Sequence, residues 1–173
     1  MKPIITSSLI VDQLSINDAP FILDLLNTQG WKQFIGERNV HDLQDAARYI
    51  HKIINDPAVS YRVVRLKSSK IPVGVLTMIK RDDLAHHDIG FAFLPGYAGK
   101  GYAYESASAL LEAPEVLIAH SRLLAISLKD NVRSIRLLEK LGMTFEEEIN
   151  RDSEKLLRYG IALKRSALKR SAL

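Results

Sequence analysis

Gly99, Lys100 and Gly101 stand between an apolar run that ends at Leu94 and a helical pattern that begins at Tyr102, and residues of these types at this spacing suit the binding of an anion. A glycine-rich loop that leaves a buried strand and opens a helix aims several free backbone amides at one point, and the helix dipole adds positive potential there. Glycines let a bulky pyrophosphate approach the main chain without side-chain clash, and Lys100 adds a charge. The loop is not the three-glycine dinucleotide fingerprint, and Tyr102 stands where a P-loop needs Ser or Thr, so a nucleotide phosphate site is the weaker reading and a plain structural turn stays open. Asp88 heads "DIGFAF", where period-two alternation puts Asp88, Gly90 and Ala92 on one face: two small residues beside one carboxylate, with room for a ligand next to a base. A salt bridge or a solvated strand end would explain the same acid. His86 and His87, with ordinary pKa values near 6.5, adjoin it and read as surface residues at a strand start.

These groups need elements to hold them, and the chain alternates such elements with short connections. "SLIVDQL" (8–14) reads as a strand, and Asn17 then caps a helix with Phe21, Ile22, Leu25 and Leu26 at helical spacing. After the connection "TQGWKQFIGERNV", Asp42 caps the helix "LQDAARYIHKII", which stops before Asp56-Pro57. "SYRVVRLK", "IPVGVLTMIKR" and "HHDIGFAFL" form an antiparallel meander. The glycine turn leads into a helix from about Lys100 to Glu112, ended by Pro114. A strand at "RLLAISL", a helix at "VRSIRLLEKLG" and strands around "MTFEEEI" and "EKLLRYGIAL" complete a single domain.

Composition narrows the function classes. The chain has 173 residues, 47% of them hydrophobic and 25% charged, as in an ordinary folded domain. No apolar stretch approaches the roughly 20 residues that span a bilayer, so no membrane partner and a cytoplasmic location are expected. Cysteine is absent, which removes disulfides, thiolate nucleophiles and Cys-type zinc sites, and no metal is expected. The net charge of +4 resides in the last ten residues, "KRSALKRSAL": without their four cations the 24 basic residues fall to 20, level with the 20 acids. A neutral body is not a nucleic-acid surface. The expected organisation is a domain over 1–163 and a basic repetitive tail over 164–173.

Taken together, "IGFAFLPGYAGKGYAYESASALL" and "NVRSIRLLEKLGMTFEEE" resemble the GNAT superfamily of acyl-CoA-dependent N-acetyltransferases, most closely its RimJ/RimL-like branch, over nearly the whole chain. Gly101 and Ala103 match the family's phosphate motif, Gln/Arg-x-x-Gly-x-Gly/Ala, with Ala98 in its first position, so contact there falls to the amides of Gly99 to Ala103. Asn131 and Ser134 match the Asn-x-x-Ser that opens the next helix. The resemblance implies an α/β (α+β) fold: a mixed, mainly antiparallel sheet of six to seven strands, splayed near residues 88–93 and 123–128, with helices on both faces. It implies acetyl-CoA as co-substrate, held by Phe91, Ala92, Phe93, Ala98, Gly99, Lys100, Gly101, Tyr102, Ala103 and Asn131.

The implied reaction is direct attack of a primary amine, a protein N-terminus or a small amine, on the thioester carbonyl within a ternary complex. It needs a route for the ammonium proton, a donor for the developing oxyanion and a proton for the thiolate. The resemblance assigns the oxyanion to a backbone amide of "GFAF" and the thiolate to Ser134, whose type and place equally suit a helix cap. Leu138 occupies the position of the tyrosine that is the general acid in many members. Asp88 is the candidate base, directly or through water; an α-amine with pKa near 8 also allows water alone. Trp31, Phe34 and Ile35 are the candidate acceptor groove or, equally, ordinary core. A monomer or homodimer is expected, and a non-catalytic acyl-CoA-binding module is the alternative function.

Overall fold

The structure is a computed structural model that describes residues 2–151 and 154–164. Short apolar runs build the first half of its sheet: β1 (Ile4–Ile5), β2 (Leu9–Gln13), β3 (Val59–Leu66), β4 (Pro72–Ile79) and β5 (Asp88–Phe93) follow one another as antiparallel neighbours. The second half, β6 (Arg122–Leu128), β7 (Thr144–Arg151) and β8 (Glu154–Ala162), continues in the order β6-β8-β7, and β5 and β6 meet in parallel.

The period of two divides the core. Val63 and Val75 face α1 (Ala19–Leu26), α2 (Gln29–Phe34) and α3 (Leu43–Ile54), where Ile22, Leu25 and Ile50 are fully buried. Val64, Leu76 and Ile89 face the other way, onto α4 (Tyr102–Leu111), α5 (Pro114–Ala119) and α6 (Val132–Lys140) through Leu110, Val116 and Leu138. Each such side chain contributes about 1.5–3 kcal/mol by leaving water, so the two layers hold the sheet from both faces.

The mixed, mainly antiparallel sheet with helices on both faces is as the sequence implies, but among the described residues it has eight strands rather than six or seven. The extra strand is β1, two residues long and held by Ile4 opposite Val11 and Ile5 opposite Ile10, which is too short to leave a periodic signal. The stretch after Thr28 is not a plain connection: it contains α2, whose first turn is capped where Thr28 Oγ1 accepts the Trp31 amide at 3.2 Å. Asn17 is not the cap before α1. Instead Asp18 Oδ2 accepts the Ser15 amide at 2.9 Å across a single 3₁₀ turn, and α1 follows. Asp42 caps α3 as expected, its Oδ1 accepting the Asp45 amide at 2.8 Å. Pro114 does not merely end the preceding helix; it starts α5, where a missing amide hydrogen is harmless. The repetitive tail, Lys164 aside, lies outside the described residues.

Candidate active site

The site begins where two strands fail to pair. Leu94 donates to the Val73 carbonyl at 2.9 Å, so in the antiparallel ladder residues 92, 90 and 88 exchange bonds with β4, while 89, 91 and 93 turn their amides and carbonyls away from it. On that side β6 touches β5 at a single position, Asp88 opposite Leu124, with the Leu124 amide on the His87 carbonyl at 2.9 Å. Beyond it the strands part, and the main-chain groups of Phe91 and Phe93 face the gap. This is the splay expected near 88–93 and 123–128. The gap widens into a cleft of about 1440 Å³ that reaches both faces of the sheet.

One wall of the cleft is the glycine loop. Gly99 and Gly101 have φ of +76° and +84°, a left-handed conformation that favours glycine, and no atom lies within 4 Å of where their Cβ would stand. Gly101 is also the residue before α4, its carbonyl accepting the Glu105 amide at 2.9 Å. Helices α2, α3 and α6 each have a side chain over their first amides, but α4 has none. Its leading amides, those of Tyr102 to Tyr104, therefore keep unspent donors and the positive end of the dipole at the cleft. Ala98 lines the loop with its methyl and offers no polar side chain. Lys100 is the exception among the loop residues: it is not part of the cleft wall, and its ammonium lies over the Tyr97 ring, 5.3 Å from the centroid.

Across the gap, α6 begins with Asn131, whose Oδ1 accepts the Ser134 amide at 3.2 Å. Asn131 is thus the cap. The Ser134 hydroxyl is not engaged by any described residue, and Ser134 lines the cleft. Arg133, Arg136 and Lys140 line the same wall at i, i+3 and i+7, and the Lys140 ammonium sits 4.3 Å from the centroid of the Tyr104 ring on α4. Leu138 is 1% exposed in the core and supplies no acid.

Asp88 is 5% exposed and faces the α1–α3 side of the cleft. Its Oδ1 accepts Arg81 Nε at 2.8 Å, so the salt bridge is present and the carboxylate also borders the cavity. Burial is the larger influence and holds the carboxyl above its ordinary range, with the Arg81 guanidinium opposing it. Gly90 leaves the next position clear: a Cβ there would meet Thr77 Oγ1 at 2.6 Å. The neighbouring His87 points to the opposite face, its ring edge-on to His120 with centroids 4.6 Å apart, and is not brought to this carboxylate's side.

Trp31, Phe34 and Ile35 all border the cleft from α2. Trp31 belongs to the core as well, and its buried indole N–H has no partner among the described residues. Tyr61 of β3, opposite Thr77, was not singled out from the sequence; its hydroxyl lies 3.1 Å from that of Tyr49, and burial, ahead of that neighbour, pushes the phenol far above its usual range. A tyrosine at an inward position of a half-apolar strand was its available signal. Arg38, Arg81, Arg133 and Arg136 also escaped sequence reasoning, because an arginine's pairing is not written in its spacing. Among the described residues no group of carboxylates and histidines is arranged to hold a metal.

A family model described as "Acetyltransferase (GNAT) domain" matches residues 8–144. The chain belongs to the GNAT acetyltransferase family. The uncharacterised N-acetyltransferase YnaD of Bacillus subtilis (strain 168) is 27% identical over 83% of each chain. Among solved structures, a ribosomal-protein-S5-alanine acetyltransferase from Vibrio fischeri superimposes with a TM-score of 0.80 at 16% identity, over 95% of this chain and 98% of that one. A spermidine N-acetyltransferase from Vibrio cholerae, in complex with CoA and spermine, superimposes with a TM-score of 0.76 at 20% identity, over 91% and 97%. GNAT enzymes use acetyl-CoA, and the residues of this cleft fit that group: uncapped helix amides behind two left-handed glycines for a pyrophosphate, unpaired strand amides for an extended chain, and cations on α6. Among the described residues no helix is long and apolar enough to cross a membrane.

Proposed function

We propose that this GNAT enzyme acetylates a primary amine, a protein N-terminus or a small amine, in a ternary complex with acetyl-CoA, as a cytoplasmic enzyme akin to the RimJ/RimL-like branch. The observation that carries this reading is the uncapped start of α4 facing the gap at which β5 leaves β6. Acetyl-CoA supplies the acetyl group as a thioester. Gly99, Gly101, Tyr102 and Ala103 hold its pyrophosphate by main-chain amides, Phe91 and Phe93 hold the extended arm and the thioester oxygen by theirs, and Asn131 flanks the arm from α6. The Ser134 hydroxyl donates to the departing thiolate. Trp31, Phe34 and Ile35 border the acceptor, and Asp88 receives its proton. A polyamine finds little counter-charge here: Asp88 is neutralised by Arg81, Arg151 is paired with Asp83, Arg38 borders the cleft without a carboxylate partner, and among the described residues Glu154 is the further carboxylate on its wall.

The direct test is thiol release on incubation with acetyl-CoA and a panel of primary amines. Release with no amine of any class would leave acyl-CoA binding without transfer. Asp88 gives a sharper outcome. At pH 7 about a tenth of an α-amine with pKa near 8 is already neutral, so a base is worth only about tenfold there. Asp88→Asn is expected to lower kcat/KM about tenfold at neutral pH. The wild-type acid limb should lie above the ordinary aspartate range, because the carboxyl is raised and must be ionised to act, and the variant should lose that limb. An unchanged profile would return Asp88 to a purely structural role. On α6, Arg133→Gln combined with Arg136→Gln is expected to raise the acetyl-CoA Kd about tenfold at low salt. Titration at high salt should shrink the difference, because these exposed charges are screened.

A further inference from the structure

The charges that remain unpaired separate two anion sites in one cleft. Among the described arginines, all but three stand at ion-pair distance from a carboxylate. The three are Arg38, Arg133 and Arg136, and every one of them lines the cleft. Arg133 and Arg136 project from α6, on the sheet face that carries α4, where the proposed cofactor brings its phosphates. Arg38 follows α2 on the other face, beside Tyr61, whose hydroxyl feels the charges of both Arg38 and Arg81. No cofactor phosphate accounts for it.

Three main-chain carbonyls hold the Arg38 guanidinium in place without neutralising it: Nη1 donates to Gly36 and Glu37, and Nη2 to Ile35, each at 3.3 Å. The nearby Glu37 is taken by Lys32 at 3.1 Å. Of the other cations on this side, Arg81 is neutralised by Asp88, and Arg151 by Asp83 at 2.6 Å. Among the described residues the acceptor end therefore offers one buried carboxylate and the exposed Glu154 beside Arg151, together with one oriented cation, Arg38, that meets no carboxylate. A planar guanidinium with fixed orientation and no carboxylate partner is suited to a carboxylate or a phosphate.

We infer that the acceptor is an amine bearing an anionic group, its amine toward Asp88 and its carboxylate or phosphate on Arg38. The inference rests on the N-acetyltransferase reading and names the substrate class of that site. Its contrast is with polycationic amines, which leave the Arg38 guanidinium without a counter-charge.

The test uses acceptor pairs that differ only in the anion: β-alanine against β-alaninamide, glucosamine 6-phosphate against glucosamine, and a peptide amide with Glu second against the same peptide with Gln second. Thiol release by the full chain should favour the anionic member of at least one pair by about ten- to a hundredfold in kcat/KM, as one charge-assisted contact provides. The pair concerned identifies the source of the anion. Arg38→Gln should bring that ratio to within about threefold of unity, chiefly through KM, and Arg38→Lys should retain part of it. Equal use of both members in all three pairs overturns the inference. So does an Arg38→Gln variant that loses both members alike with a lowered Tm, since that is the signature of a guanidinium that only caps the carbonyls after α2. Calorimetric titration of the protein with CoA bound, by each member of a pair, separates the two levels of the claim. Anion-selective binding without turnover would refute transfer and keep the ligand class. Turnover without selectivity would do the reverse.

Discussion

Gly101→Val abolishes measurable acetyl-CoA binding in a calorimetric titration, by more than about a hundredfold, while the protein stays folded. Two effects act together at this residue. Its φ of +84° is a conformation that a side chain adopts only at a cost of about 1–2 kcal/mol, more for a β-branched one. That is a fraction of the 5–15 kcal/mol that holds a domain together, and it lowers Tm by a few degrees. The larger effect is steric. The space in front of Gly101 is open, so valine fits there, and the volume it fills is the approach to the uncapped amides of α4. Gly142→Val separates the two, because Gly142 has nearly the same φ, +85°, and lies outside the cleft wall beyond the end of α6. It should lose comparable stability and keep its affinity. Normal binding by Gly101→Val would reduce the loop to a turn, and equal loss in both variants would assign the effect to strain alone.

The features that repeat along the chain were legible, and those that depend on a partner were not. β3, β4 and β6 follow from apolar, β-branched runs bounded by polar turns, and α3 and α6 from helical spacing with Asp42 and Asn131 as caps. Asp88, Gly90 and Ala92 share a face because the pleat allows nothing else. The free main-chain groups of Phe91 and Phe93 are a different matter: the residue types say nothing of them, and they follow from β6 meeting β5 at one position. Ala92, placed with them by resemblance, exchanges its own main-chain bonds with β4 and borders the cleft through its methyl. Lys100 reads as a phosphate ligand in the sequence, yet the ring of Tyr97, three residues earlier, holds its ammonium in a cation–π contact. α2 was invisible because six residues with a glycine among them carry no period, and its cap, Thr28, belongs to a stretch that reads as a loop. The acidic partner of Arg81 is seven positions away across a turn, and that of Arg151 lies in the same turn before β5, so only the folded chain reveals that Arg38 is left with neither.

Ser134→Ala should lower turnover by roughly the 10²- to 10⁴-fold of a lost acid-base group, with acetyl-CoA affinity nearly unchanged. The sequence alone left this hydroxyl with two equal explanations, since Asn and Ser both favour the first turn of a helix. The structure divides the labour between them: the Asn131 side chain accepts the Ser134 amide, and the Ser134 hydroxyl is left over, lining the cleft opposite the glycine loop. Removing that hydroxyl therefore forfeits no cap, and Tm should fall by no more than about a degree or two. Asn131→Ala is the complement: it exposes the first amides of α6 and costs about 1 kcal/mol, or roughly 2–4 °C in a domain of this size. Its turnover should fall far less than that of Ser134→Ala, since the hydroxyl remains. Thiol release and thermal unfolding on the two purified variants read both quantities. If Ser134→Ala turns over normally, the thiolate takes its proton from water or from a tyrosine hydroxyl of the cleft wall, Tyr97, Tyr102 or Tyr104, because the buried Leu138 supplies none. The chemistry would then rest on positioning by the amides of Phe91 and Phe93, with Asp88 as the carboxylate that takes the proton of the amine.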